Sequence, residues 1–276
     1  MITSITDCTV LNNGVNMPWF GLGVFKSQEG EEVENAVKWA LELGYRAIDT
    51  ATVYGNERGV GKAMQASGIP REQIFLTTKL WNEDQRQKRP FEAFNESLER
   101  LGTDYVDLYL IHWPVAGCYK DSWKALEEIY ASGRAKAVGV SNFMINHLED
   151  LLGDTDLVPT VNQVEFHPHL VQPDLLKFCK DHKIQLEAWS PLMKGEIVSV
   201  KEAQQLAEKY HKTPAQIVLR WDLEHEVVTI PKSVHRERIE ENKQIFDFEL
   251  TDEEVALLDS LDMGRRLGPD PNNFSF

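Results

Sequence analysis

Apolar positions along the chain switch period again and again. Short runs of β-branched, aliphatic or aromatic residues each give way to a longer stretch in which apolar residues recur every three or four positions. The first pattern fits a strand and the second an amphipathic helix. Strands are predicted at "RAIDTA" (46–51), "IFLTTKL" (74–80), "VDLYLIHW" (106–113), "AKAVGVS" (135–141), "TVNQVEF" (160–166), "QLEAWSPL" (185–192) and "VVTIPKS" (227–233), with "FGLGVF" (20–25) as an earlier first strand. Helices are predicted over 31–44, 90–102, 121–133, 172–183, 200–210 and 236–246. Several of them stop at glycine, as helix ends do. Near the start, "CTVLNNGVNMPW" predicts a small hairpin turning at Asn12, Asn13 and Gly14.

Strict alternation of strand and helix implies a parallel sheet with helical crossovers. About eight such units in a chain of 276 residues predict an α/β fold of the (β/α)8 TIM-barrel type, with an N-terminal β-hairpin and a short C-terminal tail. No linker or repeat interrupts the pattern, so residues 1–276 are expected to form one domain. A doubly wound sheet is the alternative. It wants a glycine-rich first turn, and "GLGVFKS" lacks the third glycine of that fingerprint. "NERGVGKAM" lacks the first glycine and the hydroxyl of a phosphate loop.

Composition narrows the function classes. The formal net charge is −15, against the basic face that nucleic-acid binding needs. The three cysteines, Cys8, Cys118 and Cys179, are scattered and form no C-x-x-C pair, which argues against a disulfide framework or a zinc ribbon. No uncharged apolar run is long enough to span a bilayer. The start lacks the features of a signal peptide. A cytoplasmic monomer that binds neither membrane nor nucleic acid is the expectation.

In a barrel, chemistry gathers at the C-terminal ends of the strands. The second strand candidate ends at Asp49, with Tyr54 in the following loop. The third ends with Lys79 and the fourth with His112. Each residue has an ordinary reading when taken singly: a helix cap, a packed ring, a solvated lysine, a core histidine. Their coincidence at adjacent strand ends favours a catalytic group. A lysine ammonium lowers the pKa of a nearby phenol. Asp49 would hold Lys79 charged, Tyr54 would act as general acid toward a carbonyl oxygen, and a neutral His112 would orient that oxygen.

No side chain supplies a hydride, so a cofactor must. Ser141 and Asn142 end one strand and Gln163 sits on the next, suited to a carboxamide. Trp189 offers a flat face for a nicotinamide ring. Lys232 and Ser233 end the last strand, and Arg236 and Arg238 open the following helix, a basic cluster in an acidic chain. Barrels often hold phosphate there. Guanidinium plus ammonium suits a terminal phosphate monoester, which favours NADPH over NADH. Two other readings stay open: a sugar-phosphate isomerase that uses the same cations, and a non-catalytic nucleotide sensor. The pair His167 and His169 in "EFHPHL" is expected to be structural, with no metal.

"GYRAIDTATVYGNE", "TTKLW", "IHWP", "GVSNF", "NQVEFHP", "SPL" and "IPKS" followed by "RIEEN" stand in this order along nearly the whole chain. Together they resemble the aldo-keto reductases, closest in look to the bacterial 2,5-diketo-D-gluconate-reductase-like branch. The resemblance implies NADPH-dependent reduction of aldehydes and ketones, small carbonyls and possibly keto-sugars, with Asp49, Tyr54, Lys79 and His112 as the catalytic tetrad. It further implies Ser141, Asn142 and Gln163 on the carboxamide, and Trp189 stacked on the ring where many members have tyrosine. Ser190, Pro191 and Leu192 would line the pyrophosphate path. Lys232, Ser233, Val234 and Arg238 would meet the 2′-phosphate, and Glu241 and Asn242 the adenine end. Phe25, His112 and Trp113, with the tail near Phe274, would wall the substrate pocket. Phe25 replaces a tryptophan common at that place, and the segment after "SPL" and the tail are short, so an open and tolerant pocket is expected.

Overall fold

The computed structural model describes residues 2–276. Strands β1 (Cys8–Val10) and β2 (Asn16–Pro18) form the expected antiparallel hairpin. Eight parallel strands follow in chain order: β3 (Leu22–Gly23), β4 (Ala47–Asp49), β5 (Phe75–Leu80), β6 (Val106–Ile111), β7 (Ala135–Ser141), β8 (Val161–Glu165), β9 (Gln185–Trp189) and β10 (Val228–Thr229). Parallel bridges Phe20↔Thr229 and Gly23↔Lys232 join the last strand to the first and close the barrel. At this seam the backbones approach closely. A Cβ on Gly23 would lie 2.8 Å from the Ile230 carbonyl oxygen, so the seam needs glycine there.

Around the barrel run α1 (Glu31–Glu42), α2 (Glu57–Ala66), α3 (Asn82–Arg86), α4 (Pro90–Leu101), α5 (Tyr119–Ala131), α6 (Ile145–Leu152), α7 (Pro173–Asp181), α8 (Lys201–Tyr210), α9 (Pro214–Glu224), α10 (Arg236–Asn242) and α11 (Asp252–Asp259). The stripe that fixes them is visible in α1, where Val33, Ala36, Val37, Ala40 and Leu41 are buried and the acidic positions Glu31 and Glu42 lie at its ends. None of α2, α6, α9 and α11 is among the helices predicted from periodicity. Yet α9 opens with Pro214 and a Thr213–Gln216 capping box, a start signal legible in sequence. Most of the strands are shorter than predicted, and two show why. β9 ends at Trp189 because Ser190 takes φ +53°, a left-handed turn that breaks the pleat. β10 is only two residues long, and Pro231, which lacks an N–H, follows after one intervening residue.

Two cores result. The larger lies between the sheet and the helices. The smaller fills the lower barrel with Leu11, Met17, Ala47, Phe75, Leu108, Leu110, Ala137, Val161 and Val228. The hairpin closes that end, and Asn12 and Asn13 donate to the carbonyls of Pro159 and Lys136. The upper barrel instead holds Asp49, Lys79, Gln163 and Glu187, all buried. Polar groups are costly to bury unless paired, so their concentration at one end marks where the chemistry sits.

Candidate active site

Lys79 on β5 is fully buried. Its Nζ donates to Asp49 Oδ1 at 2.7 Å, to Asp49 Oδ2 at 2.8 Å and to the Thr50 carbonyl at 2.8 Å. Asp49 is therefore no helix cap: it is the counter-ion of a buried ammonium. Tyr54 ends a single 3-10 turn, Thr52–Tyr54, directly after β4. Lys79 Nζ lies 5.1 Å from its ring centroid. His112, just past β6, stands edge-on to Tyr54 with ring centroids 5.7 Å apart. Four strand-end residues thus meet at one mouth, as the sequence implies.

The electrostatics differ from expectation at the phenol. Burial pushes Tyr54 up to about 12, and the Lys79 ammonium only partly offsets it. Asp49 and Glu187 add to the rise. His112 is held well below its ordinary value, first by burial and then by the Lys79 charge, so its imidazole is neutral. Lys79 itself is raised: burial works against its charge, but Asp49, Tyr54 and Glu187 together outweigh it.

The coenzyme-side residues also converge, with one qualification. Ser141 Oγ donates to the Gln163 carbonyl at 2.8 Å. Asn142 Nδ2 donates to the His112 carbonyl at 2.9 Å and to Ser141 Oγ at 3.1 Å. Trp189 Nε1 donates to Asn142 Oδ1 at 2.8 Å. Both Asn142 amide hydrogens are thus used and its Oδ1 takes one bond, a bracket joining three strand ends, and the residue takes φ +64° to do so. Gln163 Nε2 donates to Asp49 Oδ2 and to Glu187 Oε2, each at 2.8 Å. Among the described residues no donor reaches Gln163 Oε1, which leaves an acceptor for a carboxamide. Trp189 is fixed by Asn142 on one edge and by Gly268 on another, where a Cβ would come within 2.4 Å of the indole. Ser190, Pro191 and Leu192 carry the chain away from Trp189 into a 3-10 segment, Met193–Ser199.

At the barrel seam Lys232 and Arg238 are exposed, and neither has a carboxylate within ion-pair distance among the described residues, whereas Arg236 turns to Glu42 at 3.6 Å. Ser233 Oγ accepts from the His235 N–H at 3.1 Å, and Val234 is half-buried beside it. Glu241 is committed elsewhere, accepting from Thr213 at 3.0 Å, and Asn242 is buried. Two free cations beside a buried hydroxyl fit a phosphate better than a structural ion-pair network. Carboxamide acceptor, flat indole and free cations together fit a phosphorylated nicotinamide dinucleotide.

The substrate side is more aromatic than expected. Phe25, 53% exposed, lies 4.9 Å from the Tyr54 ring. Trp113 packs against Phe274 and Phe276, each at 5.2 Å. Trp81, to which sequence reasoning gave no role, stands 5.2 Å from His112 and stacks on Phe276 at 6.0 Å. The signal was present: Trp81 lies two residues beyond Lys79 on the strand exit. The tail is held by Asn82 and Arg86, which donate to the Phe276 carbonyl at 3.2 and 2.6 Å. His167 pairs with buried Glu165 at 3.1 Å, and Glu165 also accepts the N–H of Leu267 at 2.6 Å. This pair anchors the segment leading to the tail.

A parallel barrel with a carboxylate–ammonium–phenol–imidazole group at its mouth is the architecture of a carbonyl-reducing oxidoreductase. The profile of the aldo/keto reductase family matches residues 19–263, and the chain belongs to that family. It is 54% identical over 276 residues to the glyoxal reductase of Bacillus subtilis strain 168, covering 100% of both chains. It is 50% identical over 268 residues to the methylglyoxal reductase DkgA of Salmonella typhimurium, covering 96% of each. A mutant of Gox0644 solved in complex with NADPH superposes with a TM-score of 0.92 at 42% identity, covering 98% of each chain. NADPH-dependent carbonyl reduction is the chemistry of this class.

Proposed function

We propose that this chain reduces small, reactive aldehydes of the 2-oxoaldehyde and dialdehyde kind to alcohols, with Tyr54 as the proton donor. The observation that carries the reading is the buried Asp49–Lys79 pair set against Tyr54 and His112 at the mouth. NADPH supplies the hydride when bound. Lys79, held by Asp49, places a positive charge beside the phenol and stabilises the phenolate left after proton transfer. His112 is neutral, and its buried Nδ1 has no partner among the described residues. The ring proton then belongs on Nε2, where it donates to the substrate oxygen and sets its angle. Gln163 offers Oε1 to the carboxamide, Trp189 gives the ring a face to stack on, and Lys232 and Arg238 take the 2′-phosphate. The aromatic wall of Trp81, Trp113, Phe274 and Phe276 excludes water from the carbonyl. The two relatives named for glyoxal and methylglyoxal support the substrate class, and a wall of flat rings beside Tyr54 and His112 suits compact, planar carbonyls.

Tyr54→Phe tests the mechanism. Turnover of methylglyoxal should fall by about 10²-fold or more, while quenching of tryptophan fluorescence by NADPH persists. Near-normal turnover in this variant would remove Tyr54 from the proton step.

A further inference from the structure

One acidic side chain in the barrel is left without a role by this chemistry. Glu187 lies on β9, is 1% exposed, and sits two residues before Trp189. Positions two apart share a face of a strand, so Glu187 lies on the same inward side, below the indole. Its Oε2 accepts from Gln163 Nε2 at 2.8 Å. The same nitrogen donates to Asp49 Oδ2 at 2.8 Å. An amide nitrogen carries two hydrogens and no more, so both are consumed. A flipped amide would set Gln163 Oε1 against the Asp49 carboxylate, acceptor against acceptor. The orientation is therefore dictated by the neighbours.

We propose that Glu187 is a positioning residue for the coenzyme. By taking one Gln163 amide hydrogen while Asp49 takes the other, it pins that side chain so that only Oε1 faces the nicotinamide carboxamide.

The inference rests on the coenzyme reading given above. Three features support it. First, Asp49 alone would leave a single hydrogen bond, about which the amide plane can turn; a second acceptor on the neighbouring strand removes that freedom. Second, Ser141 Oγ and Asn142 Oδ1 each already accept a hydrogen bond, whereas among the described residues Gln163 Oε1 accepts none and has its full capacity for the carboxamide N–H groups. Third, a buried carboxyl is costly to stability, and a strand position flanked by Leu186 and Ala188 gives no packing reason for it. Asp49 and Lys79 are the charged groups that face Glu187 from β4 and β5, and Gln163 is its neighbour on β8. Glu187 thus also ties the coenzyme side of the mouth to the proton-donating side, because both meet at Asp49.

Four variants test the proposal, with NADPH affinity read by fluorescence quenching and the carbonyl KM measured at saturating NADPH. In Glu187→Gln the new amide oxygen still accepts from Gln163, so the NADPH Kd should stay within about threefold of wild type. In Glu187→Leu no acceptor remains, and the Kd should rise about tenfold, with the carbonyl KM changed less than about twofold. Gln163→Ala should weaken NADPH, and Gln163→Ala/Glu187→Leu should be no weaker than Gln163→Ala alone, since both act through one side chain. Should the leucine variant fail to fold in a thermal melt, Glu187→Thr, too short to reach Gln163, takes its place with the same expected rise. A wild-type Kd in Glu187→Leu alongside a weakened Gln163→Ala would overturn the proposal and leave the coenzyme reading intact. Equal damage from Gln and Leu would also overturn it, since the carboxyl group itself and not hydrogen-bond acceptance would then matter. Wild-type NADPH binding in Gln163→Ala would remove the coenzyme reading of Gln163, and the proposal with it.

Discussion

Replacing Asp49 with asparagine isolates the charge that holds the site together. The wild-type carboxylate accepts three short hydrogen bonds: 2.7 and 2.8 Å from Lys79 and 2.8 Å from Gln163. Asparagine keeps the shape but offers one oxygen and one NH2. Whichever way it points, a donor faces a donor, toward Lys79 or toward Gln163. Lys79 is fully buried, so its ammonium loses its counter-ion with no water to replace it. Removing one partner of a buried ion pair costs about 3–5 kcal/mol. For a chain of this size that corresponds to a fall in Tm of roughly 6–20 °C. The lysine responds by giving up its proton more readily, because Asp49 is the foremost of the groups that raise its pKa against burial. A neutral Lys79 no longer stabilises the Tyr54 phenolate, and kcat should drop by about 10²-fold or more. Differential scanning calorimetry and a steady-state assay with methylglyoxal, run on the same preparation, read both effects. A Tm within about 2 °C of wild type, or turnover within about threefold, would show that the Asp49–Lys79 pair is not the electrostatic anchor of the mouth.

The coenzyme end gives a second test: Arg238→Ala should raise the Kd of NADPH by about 10–100-fold and that of NADH by less than about twofold, as expected for a lost charge-assisted contact. Equal losses for the two coenzymes would detach Arg238 from the 2′-phosphate. The pH dependence of stability gives a third. Burial and the Asp49 charge push Glu187 up to about 8 from an ordinary value of 4.5. Between these values the folded chain holds a proton that the unfolded chain has released, so this group makes stability fall as pH rises through that window. Glu187→Gln should flatten that slope in urea unfolding curves taken at about pH 5 and about pH 8, and an unchanged slope would show that Glu187 does not titrate there.

The barrel was legible because its strands are short apolar runs at regular intervals and its helices carry a clear stripe. The candidate catalytic side chains were legible because a barrel concentrates chemistry at one kind of place, so Asp49, Lys79 and His112 draw attention by sitting where strands end. Other features have no such local signature. α9 is buried along much of its length, including Arg220 and Asp222, so it lacks the polar face that periodicity looks for. Glu187 reads as one stray acid in "LEAW", and its meaning lies in Gln163, 24 residues away in sequence. Trp81 and Phe276 meet only because the tail returns across the mouth. Pairings of this kind depend on distances in space that no local pattern encodes.

The phenol is where sequence and structure diverge most, and the divergence sharpens the mechanism. Chemistry alone suggests that a lysine beside a tyrosine makes it more acidic than usual. In the folded chain Tyr54 stands at about 12, above its ordinary 10, since burial outweighs Lys79. A proton donor for hydride transfer does not need a low pKa in the resting site. It needs to keep its proton at neutral pH until negative charge appears on the substrate oxygen. An alkoxide is a stronger base than a phenolate, so transfer is downhill even from a phenol at 12. In the proposed mechanism Lys79 then stabilises the phenolate at the moment it forms, and Asp49 keeps that lysine charged. Burial serves the same end from the other side: it prevents early ionisation, and it strengthens the ammonium's hold once the phenolate exists, because charges interact more strongly away from water.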